Sequence, residues 1–323
     1  MFAHKIHVGV LRGGPSSEYD VSLKTGGSIL KHLGEKYQAH DILIDKEGIW
    51  HSQGLPRTPD RILRKLDVVI NALHGEYGED GTVQRILEHF KIPFTGSGVF
   101  GSSLAMNKVQ AKKMFHNAGL QVAKTHILKK EDTTKESLYE FYISLPYQVI
   151  VKPISKGSSV GVALVRDFGT FVRALDVLFD TEEQVLVEEF IEGREATCGV
   201  VEAFRGMNLY PLLPIEIIKP KHKDFFDYEA KYGGGTQEIC PAPFPLEIKR
   251  QVQHMAMRAH EALHLRHYSR SDFIWNSQRG IFILETNSLP GLTEESLLPK
   301  ALEAVGCKFS HFLDHLVTVA MGK

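Results

Sequence analysis

The stretch ILETNSLPG, residues 283–291, ends an apolar run on a carboxylate and a carboxamide, Glu285 and Asn287, before Pro290 and Gly291 break it. Residues two apart on a strand share a face, so these two polar side chains stand together where the strand leaves its sheet. Upstream, RSDFIWNSQRG reads as the first strand and turn of a β-hairpin, with the turn at residues 277–280. If Asn276 faces Ile281 across that turn, Asp272 lies opposite Glu285 and Arg270 opposite Asn287. All four then share one face at the open end of the hairpin. Two facing carboxylates repel and call for a cation. Ligation by Asp, Glu and Asn oxygens suits Mg²⁺, which binds through one or two carboxylates together with substrate phosphates. A solvated strand end neutralised by Arg270 would explain the same residues without a metal.

Other segments fit a nucleotide. VIVKPISKGSSVGVALV is a strand, a Gly/Ser-rich loop and a second strand. Gly157 and Gly161 allow close backbone approach to a ligand, Ser158 and Ser159 add donors, and Lys152 is a point charge suited to phosphate. The GxxxxGK[ST] phosphate loop is absent, and an ordinary turn would read the same way. Lys108 lies in a helix, where a lysine usually faces solvent. VLVEEFIEGRE places Glu188 at the end of an apolar strand and Glu195 after Gly193. The strand edge could read a purine and the later acid could accept from ribose hydroxyls, or both could be acidic flanks. KPKHKDFFDYEAKYGGGTQE is either a disordered loop or a functional lid. Its aromatic residues favour the lid, with Lys231 and Tyr232 just before the glycines. One motif points elsewhere: HEALH, residues 260–264, fits the zinc-protease pattern H-E-x-x-H, with His267 as a third ligand. Against it, the chain holds 16 histidines, so chance matches are expected. Val252, Ala256, Ala259 and Leu263 form the apolar stripe of that helix, which leaves the two histidines partly exposed at its flank.

The elements that must carry these residues follow from pattern. The 323 residues, 43% hydrophobic and 24% charged, describe a folded protein of about two domains, and a net charge of −1 argues against a nucleic-acid partner. Three scattered cysteines fit a reducing cytosol. No signal peptide is read at the N-terminus, and no apolar run could span a bilayer. The expectation is a cytoplasmic protein with no membrane partner. In the first hundred residues KIHVGVL, DILI, LDVVINALHG and IPFTGS read as buried strands. VSLKTGGSILKHLG, capped by Gly34, and DGTVQRILEHF read as helices. That βαβ rhythm argues a parallel sheet covered on both faces. From Ser103 one helix, SLAMNKVQAKKMFHNAG, leads to Gly119. Beyond it, hairpins are expected from QVIVKP with VGVALV, VLVEEFI with TCGVVEAF, and DFIW with IFILE. The fold class is α/β and α+β, a Rossmann-like N-terminal domain followed by an α+β region.

In order and spacing, the motifs resemble the D-alanine–D-alanine ligases of the ATP-grasp superfamily. The resemblance runs through GGPSSEYDVS, ALHGEYGEDGTVQ, FTGSGVFGSSLAMNK, VKPISKGSSVG, VEEFIEGRE, FDYEAKY, SRSDF and ILETNSLPGLTEESL. It implies an N-terminal Rossmann-like domain over residues 1–102, a central ATP-grasp subdomain over 103–190 and a C-terminal one over 191–323. Lys108 and Lys152 would contact the ATP phosphates beneath the Gly157–Gly161 loop, with Ser158, Ser159 and Lys231 beside them. Glu188 and the backbone through Glu189, Phe190 and Ile191 would hold adenine, and Glu195 the ribose. Asp272, Glu285 and Asn287 would bind two Mg²⁺ or Mn²⁺ ions. Glu18 would anchor the first D-alanine's ammonium group, with Ser158 and Tyr232 as hydrogen-bonding partners. Ser296 and the Leu297 backbone would hold the second carboxylate, and His74 is a further active-site position. Arg270 and a backbone N–H near Gly291 would stabilise an oxyanion. The implied reaction is ATP-dependent ligation of two D-alanines through a D-alanyl phosphate, for peptidoglycan precursors, by a homodimer. A ligase with D-lactate or D-serine as acceptor is the alternative, and an HExxH zinc hydrolase the remote one. Tyrosine at 232, where the depsipeptide-forming ligases carry histidine, favours D-alanine over D-lactate. Glu295, where many members have histidine, leaves the second pocket's shape open.

Overall fold

The computed structural model describes residues 5–154, 161–219 and 236–322, excepting the side chain of residue 135. Strands β1 (Ile6–Gly13), β2 (Tyr37–Ile44), β3 (Trp50–Ser52), β4 (Leu55–Pro56) and β5 (Val68–Asn71) form a sheet in the order β4-β3-β2-β1-β5. β1 runs parallel to β2 and to β5, whereas β2 to β4 form an antiparallel edge. Both faces are buried, as the continuous apolar run in β1 requires. Val8 and Val10 join one core and Leu11 another. Helix α1 (Tyr19–His32) covers the first face, and α2 (Pro59–Leu63) and α3 (Thr82–His89) supply Ile62, Leu63, Val83 and Leu87 to the second. IPFTGS does not form a strand and contributes a single bridge, Phe94 to Val69. The cap of α1 is Leu33 in extended conformation rather than Gly34.

The helix expected from Ser103 is two helices, α4 (Val99–Met106) and α5 (Lys108–Asn117). Asn107 breaks them apart. Its backbone is extended, at φ −85° and ψ 102°, and its side chain accepts from the amides of Val109 and Gln110, which caps α5. Lys108 therefore opens a helix instead of sitting within one. Ala111 and Phe115 of α5 are buried with Ala196, Cys198 and Ile283.

A second sheet, all antiparallel, takes the order β6-β9-β7-β8 from β6 (Thr125–Lys129), β7 (Val149–Pro153), β8 (Ala163–Val165) and β9 (Gln184–Glu189). Helices α6 (Lys135–Ser144) and α7 (Phe168–Phe179) pack on it. The third sheet runs β13-β12-β10-β14-β15, with β11 beside β10. Its strands are β10 (Arg194–Phe204), β11 (Met207–Pro211), β12 (Ile215–Ile218), β13 (Gln237–Ile239), β14 (Tyr268–Asn276) and β15 (Gly280–Asn287). Helix α8 (Leu246–Ala262) lies against it, and α9 (Leu297–Ala304) and α10 (Phe309–Ala320) complete the core shared with β1 and β5. VLVEEFI and TCGVVEAF are not a hairpin. β9 is already flanked by β6 and β7, and β10 by β14 on one side and β11 and β12 on the other, so each is an interior strand of a different sheet. Gly193 makes the crossing, since a Cβ there would come within 2.5 Å of the Trp275 carbonyl oxygen.

Candidate active site

The expected hairpin forms from β14 and β15, with one change. At its turn Asn276 faces Gly280, one residue out of the expected register. A β-bulge leaves Leu284 unpaired and restores the register, so Asp272 faces Glu285 and Arg270 faces Asn287. Bulges re-aim side chains in this way. Arg270 donates Nε and Nη2 to the two oxygens of Asp272, each at 3.1 Å, and Asn287 donates Nδ2 to Oδ2 at 3.2 Å. From the neighbouring β10, Thr197 donates to Asp272 Oδ1 at 2.6 Å. Burial works against the Arg270 charge, but Asp272, Glu285 and Glu79 outweigh it and hold the guanidinium firmly protonated. Ser271 faces the other side, as its alternation requires, and meets Thr286 at 2.8 Å in the core.

Toward the first sheet the site continues through Glu79, which accepts from the Gly75 amide at 2.9 Å and lies 3.8 Å from His74 Nδ1. His74 is buried, with Nε2 2.9 Å from the Thr25 hydroxyl. Gly13 and Gly14, at φ +90° and +97°, turn the chain from β1 into the loop that carries Ser16 and Glu18. The Ser16 hydroxyl donates to the His74 carbonyl at 2.6 Å and accepts from the Glu18 amide at 3.1 Å. A Cβ on Gly75 would stand 2.8 Å from Glu18 Oε2, so Glu18 and His74 belong to one corner. Toward β15, a Cβ on Gly291 would fall 2.9 Å from the Ser296 hydroxyl, which accepts from the Thr293 amide at 3.1 Å. Ser296 occupies the N-cap position of α9, whose first residue is Leu297.

From the second sheet come Lys152 on β7 and Glu188 on β9. Their side chains pair at 2.8 Å, and Lys112 of α5 stands 3.0 Å from the other Glu188 oxygen. All three are buried. Burial opposes the Glu188 charge, yet Lys152 and Lys112 outweigh it and hold the carboxyl below its usual range. Lys112 also feels Glu285, which links this triad to the hairpin. The Lys108 amide donates to the Ile154 carbonyl at 3.2 Å. Glu189 accepts from the Lys124 amide at 3.0 Å and pairs with Arg279 at 3.1 Å. The Phe190 amide donates to Gln148, and Ile191 is buried beside Phe282. Glu195 pairs with Lys219 at 2.6 Å. Gly157, Ser158, Ser159, Lys231 and Tyr232 lie outside the described residues.

The zinc reading of HEALH fails on geometry. Helix α8 ends at Ala262, and His264 sits beyond it at φ +51°. His260, expected to be partly exposed, is buried at 1% exposure, because Nδ1 meets the Ser269 hydroxyl at 2.8 Å and Nε2 lies 3.3 Å from Glu202. Among the described residues no group of three or more His, Cys, Asp or Glu side chains could hold a metal. What does gather is two carboxylates and a carboxamide on one hairpin face, which fits an oxygen-seeking divalent ion that takes further ligands from phosphate or water. Sequence reasoning missed Thr197, Glu79 and Lys112. Only Lys112 had a signal, being four residues from Lys108 and so on the same face of a helix.

Two sheets, one supplying a buried lysine–glutamate group and the other a hairpin end with two facing carboxylates, beside a Rossmann-like sheet, define an ATP-grasp protein. The chain belongs to the D-alanine–D-alanine ligase family. The "D-ala D-ala ligase N-terminus" profile matches residues 7–62 and 51–97, and the "D-ala D-ala ligase C-terminus" profile matches residues 114–318. The chain is similar to the D-alanine--D-alanine ligase of Geotalea uraniireducens (strain Rf4), 41% identical over 97% of this chain and 95% of that one. It is 38% identical to the enzyme of the same name from Geobacter sulfurreducens, over 97% and 93%. Among solved structures, D-alanyl-alanine synthetase A from Vibrio cholerae superposes with a TM-score of 0.86 at 28% identity, covering 99% of this chain and all of that one. The D-alanine--D-alanine ligase of Bacillus anthracis complexed with ATP gives 0.81 at 30% identity, over 98% of each. VanG D-Ala:D-Ser ligase from Enterococcus faecalis gives 0.84 at 28%, over 98% and 100%.

Proposed function

We infer that this chain joins two D-alanines into D-alanyl-D-alanine, with ATP converted to ADP and phosphate through a D-alanyl phosphate, for peptidoglycan precursor synthesis. The observation that carries the reading is the hairpin end. An arginine is fixed by two hydrogen bonds to an aspartate that faces a glutamate and an asparagine across a bulge. A carboxylate is a poor acyl donor, and phosphorylation of the first D-alanine makes it a good one. The cationic groups Lys108 and Lys152 lower the charge on the phosphate chain. Asp272, Glu285 and Asn287 would hold two Mg²⁺ or Mn²⁺ ions, which when bound neutralise phosphate charge and orient the nucleotide. Glu189, Phe190 and Ile191 would border the adenine beside Glu188, and Glu195 would accept from ribose.

Glu18, on the loop after Gly14 and next to Gly75, would bind the ammonium of the first D-alanine, with His74 supporting that corner. The start of α9, with Ser296 and the Leu297 amide, supplies the donors a carboxylate needs at a helix N-terminus. The second amine then attacks the acyl phosphate. Arg270, with the backbone N–H near Gly291, would stabilise the tetrahedral oxyanion before phosphate leaves. One such donor is worth about 3 kcal/mol. Division of the chain at residues 102 and 190 is part of the same proposal, as are a homodimer and a cytoplasmic location. For the location, the three cysteines are unpaired and no described helix is long and apolar enough to cross a membrane. The likeness to a D-Ala:D-Ser ligase keeps D-serine as a second acceptor to test. The test is ADP release against D-alanine, D-serine, D-lactate and L-alanine. Turnover with D-alanine alone, giving the dipeptide, is expected. Turnover that ignores D-alanine would overturn the reading.

A further inference from the structure

Lys112 has no role in that reaction. It lies one turn beyond Lys108 on α5 and is almost wholly buried, 3.0 Å from Oε1 of Glu188, while Lys152 holds Oε2 at 2.8 Å. One buried carboxylate thus carries two ammonium groups. Burial pulls Lys112 below its usual range more strongly than Glu188 and the more distant Glu285 pull it back. A single carboxylate stands between two interior lysines, and one of them is enough to pair it. The arrangement also sets a difficulty for Lys152. To give its charge fully to a phosphate it would have to turn from Glu188, and a buried carboxylate stripped of its partner is strongly disfavoured. Lys112 removes the difficulty, because it stays with Glu188 when Lys152 turns away.

We propose that Lys112 is a positioning residue that keeps Glu188 paired and thereby frees Lys152 to bind the nucleotide phosphates. The inference rests on the ATP-binding reading above. Its effect is confined to phosphate recognition. Without Lys112, Lys152 becomes the cation of Glu188 and is withheld from the nucleotide. If Glu188 is made neutral at the same time, the hold on Lys152 disappears.

Calorimetric binding of ADP and of adenosine, each with Mg²⁺, to the parent, Lys112→Met, Lys112→Arg and the double variant Lys112→Met/Glu188→Gln separates the possibilities. Lys112→Met should lose at least about tenfold in ADP affinity, equivalent to one 1.4 kcal/mol step, with adenosine affinity within about twofold of the parent on the same scale. Lys112→Arg should stay close to the parent. The double variant, which replaces the charged pair by a neutral one, should recover most of the ADP-over-adenosine preference. A merely structural lysine would move ADP and adenosine together, or leave both unchanged, and either result overturns the proposal. So does a double variant as poor in that preference as Lys112→Met, a comparison that holds even if the single variant is too unstable to purify and the double is set against Lys112→Arg. A parent that binds neither ligand would instead refute the nucleotide reading.

Discussion

Thr197→Val tests whether Asp272 works because it is held still. Among the described residues, four hydrogen bonds converge on that carboxylate, and of these the Thr197 hydroxyl makes the shortest at 2.6 Å, against 3.1 Å for each Arg270 contact and 3.2 Å for Asn287. Thr197 is buried in β10 directly opposite Asp272, so valine fills the same space without the donor. A hydrogen bond to a charged group contributes about 1.5–3 kcal/mol. Arg270 and Asn287 remain, which places the loss toward the lower end, about 2 kcal/mol, or roughly thirtyfold at 1.4 kcal/mol per decade. Groups that orient a metal-binding carboxylate have effects of about 10–100-fold on affinity or activity. The assay is Mn²⁺ affinity, measured by paramagnetic relaxation with a non-hydrolysable ATP analogue, beside kcat at saturating metal. Weakened Mn²⁺ binding with an intact fold is expected. If affinity and kcat both stay within about twofold of the parent, Asp272 does not depend on its surroundings as argued.

Glu285→Gln should nearly abolish ADP formation with little change in Tm, because a carboxamide cannot supply the charge that faces Asp272; turnover near the parent rate would refute the hairpin assignment. His260→Ala should cost about 2–4 kcal/mol of stability in urea unfolding, from the cavity and the loss of a partner for the Ser269 hydroxyl and Glu202 Oε1, with kcat per folded molecule retained, whereas His264→Asn, which tolerates the φ of +51° there, should change neither. His267 is pushed down to about 4 by burial first and Arg266 next. Its folded value lies below the ordinary 6.5, so the unfolded chain binds the extra proton first. Stability should be fully present above pH 6.5 and fall by up to about 3 kcal/mol as pH drops toward 4. Urea midpoints between pH 4 and 7.5 should show a flatter profile for His267→Asn, which tolerates the φ of +65° at this position.

Alternation along two apolar strands was enough to place Arg270, Asp272, Glu285 and Asn287 on one face, because strand period is a local property. The bulge at Leu284 was not legible, since it depends on how β14 and β15 twist together. Asp272 and Glu285 were paired correctly at sequence level from a turn register that was wrong by one residue, and the bulge compensated. The same limit explains the mistaken pairing of VLVEEFI with TCGVVEAF. Strand character shows in the residues, but the choice of partner is a long-range matter settled by β6, β7 and β14. Asn107 hid a helix break because its cap reads equally well as a polar residue within one long helix. Lys112 drew no reading at all, since a helix lysine usually faces solvent, and only Glu188 on another sheet explains its burial. Thr197 sits unmarked in an apolar strand, where a hydroxyl gives no sign of the carboxylate beside it. His260 shows the reverse case, a motif whose chemistry vanishes once its two nitrogens are found beside Ser269 and Glu202.

The most direct measurement of the central claim is the fate of the D-alanine carboxylate oxygens. With D-alanine labelled with ¹⁸O at both carboxylate positions, a carboxylate oxygen attacks the γ-phosphorus, and that oxygen departs with phosphate when the second amine displaces it. Mass spectrometry of the phosphate released with D-alanyl-D-alanine should therefore find one ¹⁸O atom per phosphate formed. Dipeptide formed alongside unlabelled phosphate would contradict the acyl-phosphate route.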